Sequence, residues 1–384
     1  MKITDVKVIR LHAPISSAGQ VQSRTGLRSN RSSLLVEIET DNGITGVGSC
    51  SGNGVILNVI IDKILKPFLL GADPREIQKI WDKCYYSGGV RAFGSRGVGV
   101  VALSGVDIAL WDILGKVENR PVYELLGGAC RERVQLYATA LYPEATSKVV
   151  EKALAFARQG FRGMKIKVGF DLAKDIEIVR AVRAALGRNY TLMTDANMGY
   201  KLDAALEAAA AFRECGVYWL EEPLFVEAVE DHATLRAGSK VPIALGENLH
   251  TCFAFEAFIA RKAIDFLQPD VARTGGISEI RKIAMLAGEH SFPISFHTYG
   301  DAVALAASLH LAVALENSII MELDCSENPL RTDLLTEPLE QKDGFMTPPQ
   351  GPGLGIELNS EVLQRYSFTG EEDLRLMAPV VGSG

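Results

Sequence analysis

The sequence predicts an α/β protein in which a smaller α+β domain precedes a barrel of the (β/α)7β type. The chain has 384 residues, more than one ordinary domain needs and enough for a second domain beside a barrel of about 250 residues. From about residue 130 onward, short β-branched segments alternate regularly with longer amphipathic helical segments. Strands and helices in that order indicate parallel strands joined by right-handed crossovers and closed into a barrel.

Residues 1–127 depart from this alternation and predict a separate α+β domain. The segment SSLLVEIETDNGITGVGSC indicates two strands joined by Asp41-Asn42-Gly43, which is typical of a hairpin turn. Asp107 and Asp112 interrupt the longest apolar segment. That segment predicts a core helix, because ionised side chains are expensive at the centre of a bilayer. Helical patterns follow the hairpin at about 54–70, 74–86 and 98–116.

Residues 128–355 predict the barrel. The last predicted strand is followed by the Pro- and Gly-rich segment TPPQGPGLGIEL rather than by a long helix, so seven helices are expected for eight strands. Residues 356–384 are predicted to form a tail that runs back to the first domain. The eight predicted strands are, in order, VQLYA, MKIKV, YTLMTD, VYWLE, PIALGE, DFLQPD, FPISFH and SIIMEL.

The composition argues against several classes of function. A net charge of −7 leaves no basic surplus to neutralise phosphates, so we expect no nucleic-acid partner. The first residues, MKITDVKVIRLHAP, lack the apolar core of a signal peptide, and we expect no membrane partner. The six cysteines are scattered and form no C-x-x-C pair, which predicts reduced thiols without zinc or disulfides. We therefore expect a cytoplasmic protein.

Polar side chains occur at the ends of seven consecutive predicted strands. The carboxyl ends of parallel strands form one mouth of a barrel, where barrel active sites are built. A single charged residue there is often only a helix cap or a surface charge, but an unbroken series is hard to explain in that way. Spaced 23 to 28 residues apart, about one strand–helix unit each, the residues are Lys167, Asp195, Glu221, Glu247, Asp270, His297 and Glu322.

Three of these residues predict a metal site. Asp195, Glu221 and Glu247 end the third, fourth and fifth predicted strands. Three converging carboxylates would repel one another without a cation. Hard oxygen ligands without cysteine favour Mg²⁺, and we expect one ion per subunit. The alternative is a solvated acidic rim.

Two lysines lie on one side of the second predicted strand. Lys165 and Lys167 are two residues apart, so both side chains point into the barrel. A lysine beside another cation and near Mg²⁺ has a lowered pKa and can act as a general base, the role we expect for Lys167. Lys165 is expected to offer its charge to a substrate carboxylate. The alternative is that one lysine pairs with a core carboxylate.

His297 ends the seventh predicted strand, next to the strand that ends at Asp270. A carboxylate beside a histidine fixes the tautomer and raises the pKa, which makes His297 a second candidate for proton transfer. Glu322, on the eighth strand, completes the ring. If protonated, Glu322 would donate a hydrogen bond to a developing enolate oxygen.

This set of side chains suits removal of the weakly acidic proton α to a carboxylate. The enolate that results must be stabilised as it forms, which a Lewis-acidic metal and nearby donors achieve. A lysine on one face and a histidine on the other allow two outcomes. Return of the proton to the α carbon gives racemisation or epimerisation, whereas loss of a β-hydroxyl gives dehydration.

The residues resemble the enolase superfamily, in particular its mandelate racemase/muconate lactonizing enzyme family and the mandelate racemase-like branch. The resemblance covers essentially the whole chain. ALSGVDIALWDILGK and PVYELLGG resemble the junction between the capping domain and the modified TIM barrel of that family. The motifs that match are KIK at 165–167, DAN at 195–197, LEEP at 220–223, GEN at 246–248, QPD at 268–270 and SFHT at 295–298.

The resemblance implies a role for each matching residue and a homo-oligomeric assembly. It assigns an acid or hydrogen-bond donor to Glu322, and it places Asn197 in contact with substrate. The same resemblance implies a (β/α)7β modified TIM barrel with an α+β capping domain that covers the barrel mouth. It assigns the metal to Asp195, Glu221 and Glu247 and the bases to Lys167 and to His297 with Asp270.

The resemblance also directs attention to the first loop of the capping domain, ISSAGQVQSRTGLRSNRSS. A loop rich in hydroxyl and guanidinium groups favours a polyhydroxy acid over an aryl substrate, although exposed loops are often polar for no functional reason. Arg24, Arg28 or Arg31 could bind a distal carboxylate as a bidentate fork. The C-terminal segment MELDCSENPLRTDLL resembles sugar-acid dehydratases and lactone cycloisomerases most.

We therefore expect a Mg²⁺-dependent lyase that dehydrates an aldonate or aldarate, a small hydroxy-carboxylate substrate. A racemase or epimerase of a 2-hydroxy acid, or a sugar-acid lactone cycloisomerase, would use the same residues and stays an alternative. A Schiff-base aldolase using Lys165 or Lys167 is a rival mechanism that would not need three carboxylates. A non-catalytic binding or regulatory relative is the rival of another class.

Overall fold

A computed structural model describes residues 1–23, 26–87 and 89–370 of the chain. Its N-terminal part begins with a three-stranded antiparallel sheet in the order β1-β4-β5. The predicted hairpin joins β4 to β5 through Asp41-Asn42-Gly43, where Gly43 adopts a φ of +80°. The strands of this part are β1 (Ile3–Pro14), β2 (Val21–Ser23), β3 (Gly26–Arg28), β4 (Asn30–Thr40) and β5 (Thr45–Cys50).

Helices follow the sheet where the sequence predicts them. Gly54–Val59 (α1) continues through a π-helical turn, Ile60–Leu65, into Lys66–Leu69 (α2). These three segments together cover the single helical pattern predicted at about 54–70. The remaining helices of this part are α3 (Ile77–Tyr86), a 3-10 turn (Val90–Phe93), α4 (Val98–Glu118) and α5 (Val122–Leu125).

The long helix α4 is the core of the N-terminal part. Among the described residues it is the one helix with the length and apolarity of a membrane span, and 89% of that apolar window is buried inside the protein. It lies so close to β5 that a Cβ on Gly48 would stand 1.9 Å from the carbonyl oxygen of Gly105. Asp112 accepts hydrogen bonds from the backbone N–H groups of Val47 and Leu354. The core-helix prediction is confirmed.

Eight parallel strands form a closed barrel, because the last strand pairs with the first. Each predicted strand is present, within a few residues of its predicted bounds. The barrel strands are β6 (Val134–Leu141), β7 (Gly163–Lys167), β8 (Thr191–Asp195), β9 (Val217–Glu221), β10 (Ile243–Leu245), β11 (Phe266–Leu267), β12 (Ile294–Phe296) and β13 (Ser318–Asp324).

Seven helices connect these strands, which confirms the (β/α)7β architecture. After β13 the described chain has only the short helix α13 (Pro329–Thr332), then β14 (Phe345–Met346) and α14 (Ser360–Tyr366). The connecting helices are α6 (Thr146–Arg158), α7 (Leu172–Leu186), α8 (Leu202–Glu214), α9 (Val229–Gly238), α10 (Thr251–Ala260), α11 (Gly276–Glu289) and α12 (Ala302–Ala314).

One end of the barrel interior is filled by apolar and aromatic side chains, as expected for a barrel core rather than a pore. The cluster includes Trp219, whose ring packs against Tyr137 and Phe266 at 5.5 and 5.2 Å between centroids. A site for chemistry is therefore confined to the opposite, carboxyl-terminal end. The members of the cluster are Tyr137, Met193, Trp219, Ala244, Phe266 and Ile320.

The chain after the barrel returns to the N-terminal sheet. β14 pairs antiparallel with β6. Ser367 forms a β-bridge with Leu11 on β1, and the N–H of Phe368 donates to the carbonyl of Arg10 at 3.0 Å. The Phe368 ring stacks on His12 with 5.1 Å between centroids. The described part of the predicted tail thus packs on the first domain.

Candidate active site

Strand register brings the predicted site residues to one end of the barrel. Lys167 is paired with Asp195, and Asp195 with Glu221, across β7, β8 and β9. At this end a cavity of about 410 Å³ opens between the barrel and the N-terminal domain. Four of the seven predicted strand-end residues line it together with Asn197, namely Lys167, Glu247, Asp270 and His297.

The three predicted metal ligands converge. Asp195, Glu221 and Glu247 are buried, and one carboxylate oxygen of each lies within 4.8 Å of the others. Glu221 is held by Gln268, whose side-chain amide donates to Oε2 at 2.7 Å, and by Trp219, whose indole N–H donates at 3.1 Å. Burial, opposed by Lys165, raises the pKa of Glu221 to about 8.

Lys165 lies beneath the cavity rather than in its wall. Its side chain is 0% exposed, and Nζ lies 2.5 Å from Glu221 Oε1, 3.0 Å from Glu322 Oε1 and 3.4 Å from Asp195 Oδ2. Burial alone would lower the pKa of Lys165, but the surrounding carboxylates raise it well above its ordinary value. The carboxylates that surround this lysine are themselves predicted site residues, and its role toward a substrate carboxylate stays a prediction.

Lys167 faces the cavity and is 13% exposed. Its Nζ donates to Asp195 Oδ2 at 2.5 Å and to Asn197 Oδ1 at 2.8 Å. Burial favours the neutral amine and Lys165 opposes its charge, but the carboxylates of Asp195, Glu247 and Glu221 together raise the pKa of Lys167. The lowering predicted from the sequence relied on an adjacent metal ion, and the protein groups alone do not produce it.

His297 is brought together with Asp270, as the sequence predicts. Nδ1 lies 2.6 Å from Asp270 Oδ2, and Asp270 is itself oriented by the backbone N–H of Ala272 at 2.8 Å. On the other side Nε2 lies 2.8 Å from Glu247 Oε2. Burial alone would lower the pKa of His297, but Glu247 first and Glu322 next raise it well above the ordinary value.

Glu322 joins the two halves of the site from below. Its carboxylate accepts from Lys165 at 3.0 Å and from the backbone N–H of Thr298 at 3.3 Å, and it lies 3.7 Å from His297 Nε2. The side chain is buried and does not line the cavity.

Of the predicted loop arginines, Arg28 lines the cavity, whereas Arg24 lies outside the described residues. Arg28 and Arg31 both lie over the ring of Tyr299, at 4.9 and 4.7 Å. The hydroxyl of Tyr299 is 2.5 Å from that of Tyr142. Neither tyrosine was predicted, although each follows a barrel strand within three residues, a position that could have signalled the mouth of the barrel.

A second unpredicted pair supports the metal ligands. Glu222 is fully buried with a φ of +38°, and the side-chain amide of Asn248 donates to both of its carboxylate oxygens at 2.8 Å. The same amide lies 3.3 Å from Glu247 Oε1. The LEEP and GEN motifs contain both residues, but their mutual contact depends on how β9 and β10 are aligned.

The donor set fits a hard divalent cation. Asp195, Glu221 and Glu247 bring three buried carboxylates within 4.8 Å of one another, and converging carboxylates repel one another unless a cation lies between them. Three carboxylates without a thiol suit Mg²⁺. The residues that would hold the ion are therefore Asp195, Glu221 and Glu247.

Family models match both parts of the chain. Residues 5–127 match the mandelate racemase/muconate lactonizing enzyme N-terminal domain, and residues 148–362 match the enolase C-terminal domain-like model. The chain belongs to the mandelate racemase/muconate lactonizing enzyme family. Membership confirms the resemblance seen in the motifs and, with the barrel described above, the predicted fold class.

Relatives in this family include a cycloisomerase and several dehydratases. The D-galactarolactone cycloisomerase of Agrobacterium fabrum is 39% identical over 95% of this chain and 99% of its own. The arabinonate dehydratase of Saccharolobus solfataricus is 35% identical over 87% of this chain and 90% of its own. A racemase from Streptomyces coelicolor, solved with bound magnesium, superposes with a TM-score of 0.88 at 30% identity, covering 95% of this chain and 100% of that one.

Proposed function

We propose that this protein is a Mg²⁺-dependent enzyme that abstracts the proton α to the carboxylate of a sugar acid, with dehydration of an aldonate or aldarate as the reaction. One observation carries the proposal: Lys167 and His297, on strands three apart around the barrel, flank the cavity that Glu247 also lines. Two proton-transfer groups beside an acidic triad are what α-proton chemistry requires.

The metal and its supporting residues stabilise developing negative charge. When held by Asp195, Glu221 and Glu247, Mg²⁺ supplies Lewis-acid stabilisation of the substrate carboxylate as it takes on enolate character. Lys165 sets the charge balance beneath the triad, because its ammonium lies within 3.4 Å of Asp195 and Glu221. Buried and fixed, it needs no reorganisation during the reaction.

Lys167 and His297 divide the proton transfers between them. In the form in which it lacks a proton, Lys167 Nζ or His297 Nε2 takes the α proton, and the electron pair of the broken C–H bond enters the enolate. In dehydration the other group gives its proton to the β-hydroxyl, which leaves as water. In racemisation the proton returns to the α carbon from the opposite face. Asp270 keeps His297 Nε2 directed to the cavity by binding Nδ1.

Asn197 is proposed to orient Lys167 as well as to contact substrate. It lines the cavity, its Oδ1 accepts from Lys167 at 2.8 Å, and its Nδ2 lies 3.4 Å from Glu247 Oε1. The side chain therefore bridges one candidate base and one metal ligand.

The cavity wall supports a polyhydroxylated substrate. Thr298 Oγ1 and Asn328 Oδ1 are buried without a hydrogen-bond partner within residues 1–23, 26–87 and 89–370, and both residues line the cavity. Buried polar atoms usually have a partner, and substrate hydroxyl groups would provide one. The names of the relatives, a galactarolactone cycloisomerase and an arabinonate dehydratase, point to the same class of substrate.

Lactone cycloisomerisation is the second candidate reaction. It would use the same two proton-transfer groups and the same triad. The observation that favours it is the 39% identity to a D-galactarolactone cycloisomerase over nearly all of both chains. Racemisation or epimerisation of a 2-hydroxy acid needs no further residue.

With the domain boundaries predicted from the sequence, residues 1–127 are proposed to cap the mouth of the barrel and residues 128–355 to carry the catalytic residues. Residues 356–384 are proposed to form a tail. All six cysteines are free thiols, which supports the proposal of a cytoplasmic enzyme. We further propose a homo-oligomer acting on a small hydroxy-carboxylate, without nucleic-acid or membrane partners. Light scattering after size exclusion tests the assembly.

The test of the reaction is proton NMR of the protein with Mg²⁺ in D₂O, using aldonates, aldarates, their lactones and mandelate. A keto product indicates dehydration, deuterium at the α carbon indicates racemisation or epimerisation, and loss of lactone indicates cycloisomerisation. Activity should disappear in Lys167→Ala or His297→Ala, according to the configuration of the substrate. Exchange that survives EDTA would contradict the metal-dependent mechanism, and turnover by both variants would contradict the assignment of the bases.

A further inference from the structure

The wall of the cavity that belongs to the N-terminal domain is cationic. Arg28 and Arg31 both line the cavity, and their guanidinium groups lie 4.9 and 4.7 Å from the centroid of the Tyr299 ring. Tyr299 stacks in turn beside His297, with 6.4 Å between ring centroids and an interplanar angle of 27°. The two arginines therefore adjoin the end of the cavity where His297 would act.

One donor nitrogen of Arg31 lacks a hydrogen-bond acceptor in the described part of the chain. Its Nε donates to the carbonyl of Glu327 at 3.0 Å, and its Nη2 lies 3.1 Å from Asp324 Oδ2 and bonds Ser326. Nη1 is buried and has no hydrogen-bond partner among the residues that the structure describes, and the residue as a whole is only 4% exposed. Burying a guanidinium nitrogen without a hydrogen-bond acceptor costs free energy of desolvation. A ligand oxygen in the cavity would provide that acceptor.

Arg28 has no carboxylate partner among the described residues. It is partly buried, and its guanidinium contact is with the face of Tyr299. Asp301, a carboxylate that also lines the cavity, has both oxygens occupied: Oδ1 by the N–H groups of Val303 and Ala304, and Oδ2 by the hydroxyls of Ser33 and Ser49. Arg31 is thus paired with Asp324 through Nη2, whereas Arg28 faces the cavity without a carboxylate partner among the described residues.

We propose that Arg28 and Arg31 form a subsite for a second carboxylate of the substrate, so that the enzyme prefers dicarboxylic sugar acids, or their lactones, to monocarboxylic ones. This inference rests on the proposed function, in which the reacting carboxylate occupies the end of the cavity at the acidic triad. Guanidinium groups bind carboxylates through paired N–H donors, and stacking on an aromatic face holds them in a fixed plane. A terminal phosphate has the same anionic chemistry and must be distinguished by experiment.

The experiment compares substrates that differ only at the distal carbon. The probes are galactarate against galactonate, glucarate against gluconate, and 6-phosphogluconate, each with the Mg²⁺-loaded enzyme. We expect kcat/KM to be at least about 10-fold higher for the diacid of the reactive pair, since only the diacid can form charged hydrogen bonds to the two guanidinium groups with its distal carboxylate. Equal kcat/KM for diacid and monoacid, or preference for 6-phosphogluconate, would overturn the diacid subsite while leaving the proposed reaction intact.

The variant Arg28→Met tests the residue, and Arg75→Met is its matched control. Arg75 is an exposed arginine of the same domain that pairs with Asp73. In Arg28→Met we expect KM for the diacid to rise about 10- to 100-fold, with kcat nearly unchanged and the monoacid little affected. The control variant should leave both substrates unchanged. An equal effect on diacid and monoacid would contradict a distal subsite.

A binding measurement separates failure of the subsite from failure of the proposed reaction. If no sugar acid is turned over, calorimetry of the Mg²⁺-loaded protein with galactarate and galactonate still applies. Tighter binding of galactarate that is lost in Arg28→Met would support the subsite although the reaction had failed. Equal binding of the two acids, or a difference that survives in Arg28→Met, would overturn it.

Discussion

Asp270 acts on the candidate chemistry only through His297. Its Oδ2 lies 2.6 Å from Nδ1, which leaves Nε2 directed to Glu247 and the cavity. Removing the acceptor frees the imidazole to adopt the other tautomer, in which the nitrogen facing the substrate is no longer the one that transfers the proton. Asp270 is therefore a positioning residue.

We expect Asp270→Asn to lower kcat by about 10²- to 10⁴-fold for substrates that use His297, because that is the usual contribution of a general acid or base. The melting temperature and the Mg²⁺ affinity should change little. The measurement is kcat over a range of pH, with the exposed Asp231→Asn as the control. A kcat within a few-fold of the parent enzyme would rule out this role for Asp270.

Helix α12 is tied to the sheet of the N-terminal domain by one carboxylate. Asp301 caps the helix by accepting from the N–H groups of Val303 and Ala304, and it accepts hydroxyl hydrogen bonds from Ser33 on β4 and Ser49 on β5. Burial raises the pKa of Asp301, although these donors oppose the rise. One side chain thus joins a barrel helix to two strands of another domain.

Asp301→Ala should lower the free energy of unfolding by about 2–4 kcal/mol, since it removes a helix cap and leaves buried hydroxyls without their acceptor. Asn359→Ala, which removes the cap of the peripheral helix α14, should cost only about 1 kcal/mol. Urea unfolding of the two variants beside the parent protein measures the difference. Equal losses of unfolding free energy in the two variants would show that the interdomain hydrogen bonds of Asp301 add no stability beyond that of the helix cap.

At the junction between α4 and α11, Asp107 makes stability depend on pH. Its Oδ2 accepts from the N–H of Ser278 at 2.9 Å, whereas no described residue donates a hydrogen bond to Oδ1. Burial raises the pKa of Asp107 from 3.8 to about 7. The folded chain therefore binds this proton more tightly than the unfolded chain does. The resulting contribution to the free energy of unfolding is fully present below about pH 4 and is lost as the pH rises through 7.

Asp107→Asn keeps the side chain neutral at every pH. Relative to the parent, we expect the variant to gain about 2–4 kcal/mol of unfolding free energy between pH 4 and pH 8, at about 1.4 kcal/mol for each unit of pKa shift. Urea unfolding at both pH values provides the test. If the gap between variant and parent were the same at pH 4 and pH 8, the carboxyl group would not titrate as described.

Metal binding should stabilise the whole molecule, because the three carboxylates meet only in the folded barrel. Free Mg²⁺ at about 100 times its Kd should add about 2.7 kcal/mol to the free energy of unfolding. The melting temperature is therefore expected to rise with Mg²⁺ and to fall again with EDTA. Glu247→Gln should abolish the dependence, and an unchanged melting temperature in the parent protein would refute the site.

Much of this architecture was accessible from the sequence. The positions of all eight barrel strands and of α4 were predicted because hydrophobic periodicity is a local property of the chain. The pKa of Lys167 is not a local property of this kind, since it depends on Asp195 at 2.5 Å as well as on Lys165. Opposing contributions to a pKa depend on distances in the folded protein, which the spacing of residues along the chain does not give.

The sequence by itself determined that the polar strand ends would share one mouth, because parallel strands in a barrel can place their carboxyl ends nowhere else. Only the tertiary structure decided how those residues differ. Lys165 and Lys167 occupy the same side of β7, yet one is enclosed by three carboxylates and the other faces the cavity. Likewise, the stacking of Arg28 and Arg31 on Tyr299 joins segments from two domains. Contacts of that kind depend on packing between residues far apart in the chain, which no local pattern encodes.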